Sequence, residues 1–337
     1  MDAPLMSVKR INATLQRIYD AEVALSAPQI SQGAASHAHL ASLLKGKEQS
    51  DTTFPWILDS GLSGSYARGT KNYPLDDIDL LITIDGAGLV AYRYGQPVYA
   101  EVRGSRWGNP VERLVGPDGM ISSKRLMDAF RAGIAASYPN SSIRKDGQAV
   151  SVLLSNGLGL DVVPAFHIVP RDGSVEHYYI PEGGDGHGWI FTNPEIDKNL
   201  CDALNDYHGG WLKPVIRLVK FWNMTRNADR LKSYHLEVLV WHSLSSNPPI
   251  ADLRSGLLCF FDRAPELASG SCPDPTGLGA PLDRYLTLDA RAQSINALNT
   301  ARTLLGRARV VEPFAPGPLE LSAWGGVFGP VFARMAA

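Results

Sequence analysis

Cysteine is scarce in this chain of 337 residues: Cys201, Cys259 and Cys272 lie far apart, with no C-x-x-C pair. That scarcity excludes a disulfide framework and a cysteine-built zinc site, and leaves the three as packing residues. No apolar run approaches the roughly 20 residues that a membrane-spanning helix needs. Residues 1–25 lack the basic-then-apolar pattern of a secretion signal, so the expected location is cytoplasmic, with no membrane partner. An excess of charge is missing too. Its 32 Lys and Arg against 34 Asp and Glu give a net charge of −2, which argues against a chain whose main task is coating a long duplex, because that depends on many cation–phosphate contacts. Repeats and low-complexity segments are absent. What remains is an ordinary globular composition, 45% hydrophobic and 20% charged, long enough to bury a sizeable core in two lobes.

Along the chain, Leu5, Val8, Ile11, Leu15, Ile18 and Val23 recur at helical spacing and predict an amphipathic helix over 4–25, with a second over about 30–47. Pro55-Trp56-Ile57-Leu58 starts a short strand. Residues 86–119, rich in Gly and Pro, show no period and read as an irregular insertion. Ser122 or Ser123 can cap a helix running to about Ala136. Asp146-Gly147 and Asn156-Gly157 are tight-turn dipeptides, predicting antiparallel strands over 142–145, 149–154 and 158–166; Asp172-Gly173 predicts another turn between 167–169 and 175–180. After about 190 helical patterns dominate, at 194–206, 210–226, 233–246, 251–266 and 287–307. The expected fold is α+β: a lobe with a mixed or antiparallel sheet and N-terminal helices over 1–190, then a helical lobe over 191–337.

The most informative stretch is 62–84, LSGSYARGTKNYPLDDIDLLITI. Successive side chains of a strand point to opposite faces, so Asp77 and Asp79 share one face while Ile78 and Leu80 take the other. Two carboxylates on one edge repel. A divalent ion carrying nucleotide phosphates would sit well between them, since Mg²⁺ is held by one or two carboxylates plus substrate phosphates. The run Leu80-Leu81-Ile82-Thr83-Ile84 is too apolar for a solvated acidic strand end. Asp76 is out of phase and should face away. Upstream, Gly64-Ser65 offers a turn with exposed N–H groups and a hydroxyl, chemistry that suits a phosphate. A Gly-Ser turn followed by Asp-x-Asp on a strand resembles the signature of the DNA polymerase β-like nucleotidyltransferase superfamily.

Asp161 lies in the apolar run LGLDVVPAF, where a carboxylate is costly unless paired or bound to metal. If its strand shares a sheet with Asp77, it completes a carboxylate triad able to hold two ions about 4 Å apart, the spacing of two-metal sites. In the helical region Trp211, Val215, Leu218, Val219 and Trp222 form an apolar stripe with Lys220 on another face. Lys220 and Ser233 are candidates for the donor phosphates, and Tyr234 offers an aromatic face for a base.

RLVKFWN (217–223), followed by LKSYHLEVL (231–239), is similar to the helical segment of the cGAS/DncV-like nucleotidyltransferases, and the resemblance runs from about 55 to 310. It implies a two-lobed fold with the active site in the cleft, and two Mg²⁺, for which Mn²⁺ can substitute, on Asp77, Asp79 and Asp161. It further implies that Gly64 and Ser65 contact the triphosphate, that Lys220 and Ser233 grip it, and that Tyr234 stacks on a base. The substrates would be ATP, with GTP or other NTPs, and the product a cyclic oligonucleotide messenger of anti-phage defence. That messenger would reach a downstream effector, with regulatory protein partners for the enzyme. Three scattered cysteines cannot build the zinc insertion of the animal DNA sensor, which, with the near-neutral charge, speaks against activation by long duplex DNA. Two alternatives stay open: a linear oligoadenylate synthase or RNA terminal nucleotidyltransferase, and a catalytically silent nucleotide-binding regulator.

Overall fold

The computed structural model describes residues 3–93, 96–102, 108–117, 119–170, 176–183, 188–311 and 317–337. Its contacts divide the chain into two units that are not contiguous in sequence. The sheet unit comprises Ser26–Ala67 and Leu75–Ile196; the helical unit comprises Met1–Leu25, Arg68–Pro74 and Asp197–Ala337. The sequence reading drew one cut near 190. The structure instead draws the first helix and the short Arg68–Pro74 segment into the unit that holds the C-terminal helices.

Among the described residues of the sheet unit, one mixed sheet of nine strands runs in the order β1 (Ile57–Ser63), β2 (Asp77–Ile84), β7 (Gly159–Pro170), β4 (Gln96–Val102), β3 (Val90–Arg93), while β6 (Ala149–Leu153), paired in turn with β5 (Ser142–Asp146), and β8 (His177–Pro181), paired in turn with β9 (Trp189–Thr192), both join β7 along the edge opposite β2 and β4. Strand β2 pairs antiparallel with β1 and parallel with β7. Alternation explains the packing: Ile78, Leu80, Ile82 and Ile84 of β2 and Leu160, Val162, Phe166 and Ile168 of β7 face the core. Two helices supply the other side of that core, α2 (Ala27–Ser50) through Leu40 and Leu44, and α4 (Ser123–Ser137) through Leu126, Met127, Phe130 and Ile134. Both are capped by serine. Ser26 forms a capping box with Gln29, and Ser122 accepts from the Arg125 N–H.

Two expectations change here. Residues 86–119 are not irregular throughout: they hold the β3–β4 hairpin and a 3₁₀ turn at Pro110–Leu114, because β4 finds a partner in the far end of β7, with Val102 opposite Ile168. Residues 167–169 are not a separate strand but continue β7, twelve residues long. Tertiary pairing outweighs local composition in both cases. The expected turn at Asp172-Gly173 lies outside the described residues.

The helical unit contains α1 (Ala3–Ile18), which passes into a π turn at Tyr19–Val23, most of α5 (Pro194–Tyr207), and α6 (Leu212–Arg226), α7 (Ser233–Leu244), α8 (Leu253–Ser269), α9 (Leu288–Val311), α10 (Pro318–Phe328) and α11 (Pro330–Ala336). The helical periods of the sequence locate α1 and α5–α9; α10 and α11 had no expected counterpart. Helix α6 is buried nearly all round, with Leu212, Ile216 and Phe221 joining the stripe on Val215, Leu218, Val219 and Trp222. Cys201, Cys259 and Cys272 are free thiols, two of them buried, as packing residues should be. No helix of the described residues is long and apolar enough to cross a membrane.

Candidate active site

Adjacent strands in register build the site. In the parallel β2–β7 pair Asp79 stands opposite Asp161, and Asp77 opposite Gly159. Ser63, the last residue of β1, lies opposite Asp79 on the other side. Because paired residues share a face, the three aspartates emerge together, away from the isoleucine face. All three are half-buried, and ligand oxygens from each lie within 4.8 Å of one another. Asp76, one residue before β2, is exposed and outside this cluster.

Glycine is required at two points of the approach. The chain turns from β1 into the single helical turn α3 (Gly64–Ala67) with Gly64 at φ +64, and a Cβ there would lie 1.8 Å from Asp79 Oδ2. Ser65 follows it, half-buried. Gly159 sits where a Cβ would come within 3.0 Å of the Asp76 carbonyl, to which its own N–H donates at 2.7 Å. A cavity of about 330 Å³ opens beside Asp77 and Asp161 and is bounded by Ser142, Arg144, Asp146, Ser151 and Leu153. Ser151, opposite Asp161 in the antiparallel β6–β7 pair, donates from Oγ to Asp161 Oδ1 at 2.5 Å.

Three half-buried carboxylates converging on one point repel unless protons or cations intervene. The donor set fits a hard divalent cation, which takes oxygen ligands of this kind. Asp77, Asp79 and Asp161 are the residues that would hold it.

The remaining candidates lie in the helical unit. Lys220, expected on a face apart from the apolar stripe, is buried: its Nζ donates to Glu237 Oε1 at 2.5 Å and to the Thr70 carbonyl at 3.1 Å. Glu237 is fully buried and also takes Arg68 Nε at 2.9 Å. Burial works to raise the Glu237 pKa, but Lys220 and Arg68 outweigh it and hold it down to about 2. The Arg68 guanidinium lies 4.9 Å from the centre of the Tyr234 ring, and the Tyr234 hydroxyl donates to Asp197. Burial raises Asp197 to about 6 against the pull of that hydrogen bond and of Arg68. Ser233, the first residue of α7, is exposed. The structure thus links Lys220 of α6 to Tyr234 of α7 through Glu237 and Arg68, contacts that the sequence did not reveal.

No protein-family model matches the sequence. The chain is 29% identical over 229 residues, 67% of its own length and 67% of the relative's, to a protein of Bacillus cereus (strain VD146) named "Probable cyclic nucleotide synthase". Its fold matches E. coli MS115-1 CdnC, solved with ATP, at a TM-score of 0.67 and 18% identity over 95% of this chain and 98% of that one; CdnC in complex with a HORMA protein lacking its N-terminus matches with the same values. The chain is similar to a cyclic nucleotide synthase and shares the fold of CdnC. The polymerase β-like fold expected from the Gly-Ser and Asp-x-Asp motifs is the one observed.

Sequence reasoning missed four residues of the site and its surroundings: Ser151, Arg68, Asp197 and Glu237. A signal existed for Glu237, a carboxylate inside the otherwise apolar run Leu236–Trp241 of α7. Ser151 carried none, since its importance comes from register alone.

Proposed function

We propose that the chain is a divalent-metal-dependent synthase that joins ATP, with GTP or other NTPs, into a small cyclic oligonucleotide messenger acting in anti-phage defence. The carboxylate triad carries the reading: three aspartates from two parallel strands converge within 4.8 Å, beside a glycine turn that only glycine can make. The likeness to a cyclic nucleotide synthase supports the product class.

Two bound Mg²⁺ ions would supply charge neutralisation at the transferring phosphoryl group and acidify the attacking hydroxyl. The chain's own residues do the rest. The Gly64-Ser65 turn orients the donor triphosphate by backbone N–H groups and the Ser65 hydroxyl. Asp161 accepts the proton of the attacking ribose hydroxyl as that oxygen bonds to the α-phosphorus and the bridge to pyrophosphate breaks. Lys220 and Ser233 grip donor phosphates, which requires Lys220 to exchange its bond to the Thr70 carbonyl for one to phosphate, and Tyr234 stacks on a base. A regulatory protein partner is part of the proposal, because CdnC is solved with a HORMA protein; so are a downstream effector and action in the cytoplasm.

The test is incubation of the purified chain with Mg²⁺ and all four labelled NTPs, then phosphatase treatment and mass spectrometry. A phosphatase-resistant product with a cyclic mass is expected. Products bearing a terminal phosphate would favour a linear synthase, and no NTP consumption would favour a silent nucleotide binder.

A further inference from the structure

Strand β6 reads Ala-Val-Ser-Val-Leu, with Val150 and Val152 fully buried on its core face and Ser151 between them on the other face. Serine is a poor strand residue between two β-branched ones, and packing does not call for it there. Register does. The β6–β7 pairing sets Ser151 directly across from Asp161, and its hydroxyl reaches Asp161 Oδ1 at 2.5 Å, the length of a hydroxyl bonded to a charged carboxylate.

We propose that Ser151 is a positioning residue for metal: by holding Oδ1 it fixes the plane of the Asp161 carboxylate so that the group keeps an oxygen aimed at Asp77 and Asp79. The rotation that sets that plane is otherwise broad for aspartate, with no staggered wells to lock it. A carboxylate has room for the bond, since its two oxygens offer about four acceptor sites and Ser151 takes one. Mg²⁺ demands near-ideal octahedral geometry and Mn²⁺ takes the same octahedral oxygen set, so a carboxylate free to turn, which must be ordered on binding, holds either less well. Partners that orient metal ligands typically change metal affinity by 10- to 100-fold when removed. This inference rests on the metal reading of the triad.

The test separates the hydroxyl from the shape of the side chain. Thr and Val are nearly isosteric, both favour strands, and only Thr keeps a hydroxyl. Mn²⁺ is titrated into the full-length chain and its variants without nucleotide, and free Mn²⁺ is read from its paramagnetic resonance signal. Ser151→Val is expected to weaken Mn²⁺ binding by about tenfold or more, while Ser151→Thr stays within about threefold of wild type. In an Asp161→Asn background, Ser151→Val should add almost nothing, because the group it orients is no longer a charged ligand. Equal Mn²⁺ affinity in Ser151→Val and Ser151→Thr, or tighter binding in Ser151→Val, overturns the inference while leaving the metal reading intact if Asp77→Asn still loses the ion. Wild type that binds no better than Asp77→Asn overturns both. A purely structural serine would lower the unfolding temperature of Ser151→Val and leave Mn²⁺ affinity alone.

Discussion

At Lys220 two demands meet on one ammonium group. It neutralises Glu237, which is fully buried, and it is the residue that the proposed function sends to a phosphate. Removing one member of a buried ion pair leaves an uncompensated charge and costs about 3–5 kcal/mol; Arg68 still pairs with Glu237, so Lys220→Ala should fall near the lower end, at about 3 kcal/mol in a denaturant melt. A combined variant resolves the overlap. Lys220→Met combined with Glu237→Gln and Arg68→Met removes all three buried charges, and should recover most of the lost stability without recovering nucleotide affinity if the lysine grips phosphate. The acid limb of stability gives a second measurement. Glu237 sits at about 2 in the folded protein, below its ordinary 4.5. Its contribution is present above about 4.5 and is lost as pH falls towards 2. Unfolding temperature followed across that window should drop less steeply in Glu237→Gln than in wild type; equal slopes would show that the buried pair does not set acid stability. Tyr234→Phe should cost about 1–3 kcal/mol by leaving buried Asp197 without its hydroxyl partner, although a base would need only the ring.

The same logic at the level of elements turns on strand register. The parity of Asp77 and Asp79 follows from the sequence alone, because a strand alternates whatever surrounds it. Asp161 was reachable only on the condition that its strand joins the same sheet, and β7 meets that condition in parallel register, one residue of slip being enough to turn every side chain over. Ser151 was not legible at all: nothing in AVSVL says which residue faces it. Residues 86–119 were misread for a related reason, since the partner of β4 lies some 70 positions along the chain. The Gly64 turn makes a direct prediction. Gly64→Ala places a methyl group at 1.8 Å from Asp79 Oδ2 and strains a backbone at φ +64, so the carboxylate must move. Activity should fall at least 100-fold, on the order of 2.7 kcal/mol of transition-state stabilisation, while circular dichroism shows a folded protein. Turnover within threefold of wild type would mean that Asp79 is not a ligand.

For the whole molecule, the low net charge and the concentration of negative charge at one point argue in the same direction. A chain at −2 gains little by releasing counterions from a long duplex, whereas three carboxylates held together should gain from a divalent cation. Binding to the native state alone stabilises by mass action, so Mg²⁺ with a non-hydrolysable ATP analogue should raise the unfolding temperature. The rise should be lost in Asp77→Asn and in Asp79→Asn, and the double variant should lose no more than either single one, because residues acting as a unit are not additive. Asp161→Ala should leave the metal-free protein as stable as wild type or more so, since relief of like-charge repulsion offsets the lost Ser151 hydrogen bond. Long duplex DNA, added at about 0.15 M salt, should leave pyrophosphate release unchanged. Stimulation by DNA that fades steeply with added salt would show instead that the chain gathers its 32 basic residues into a phosphate-binding surface which a net charge conceals.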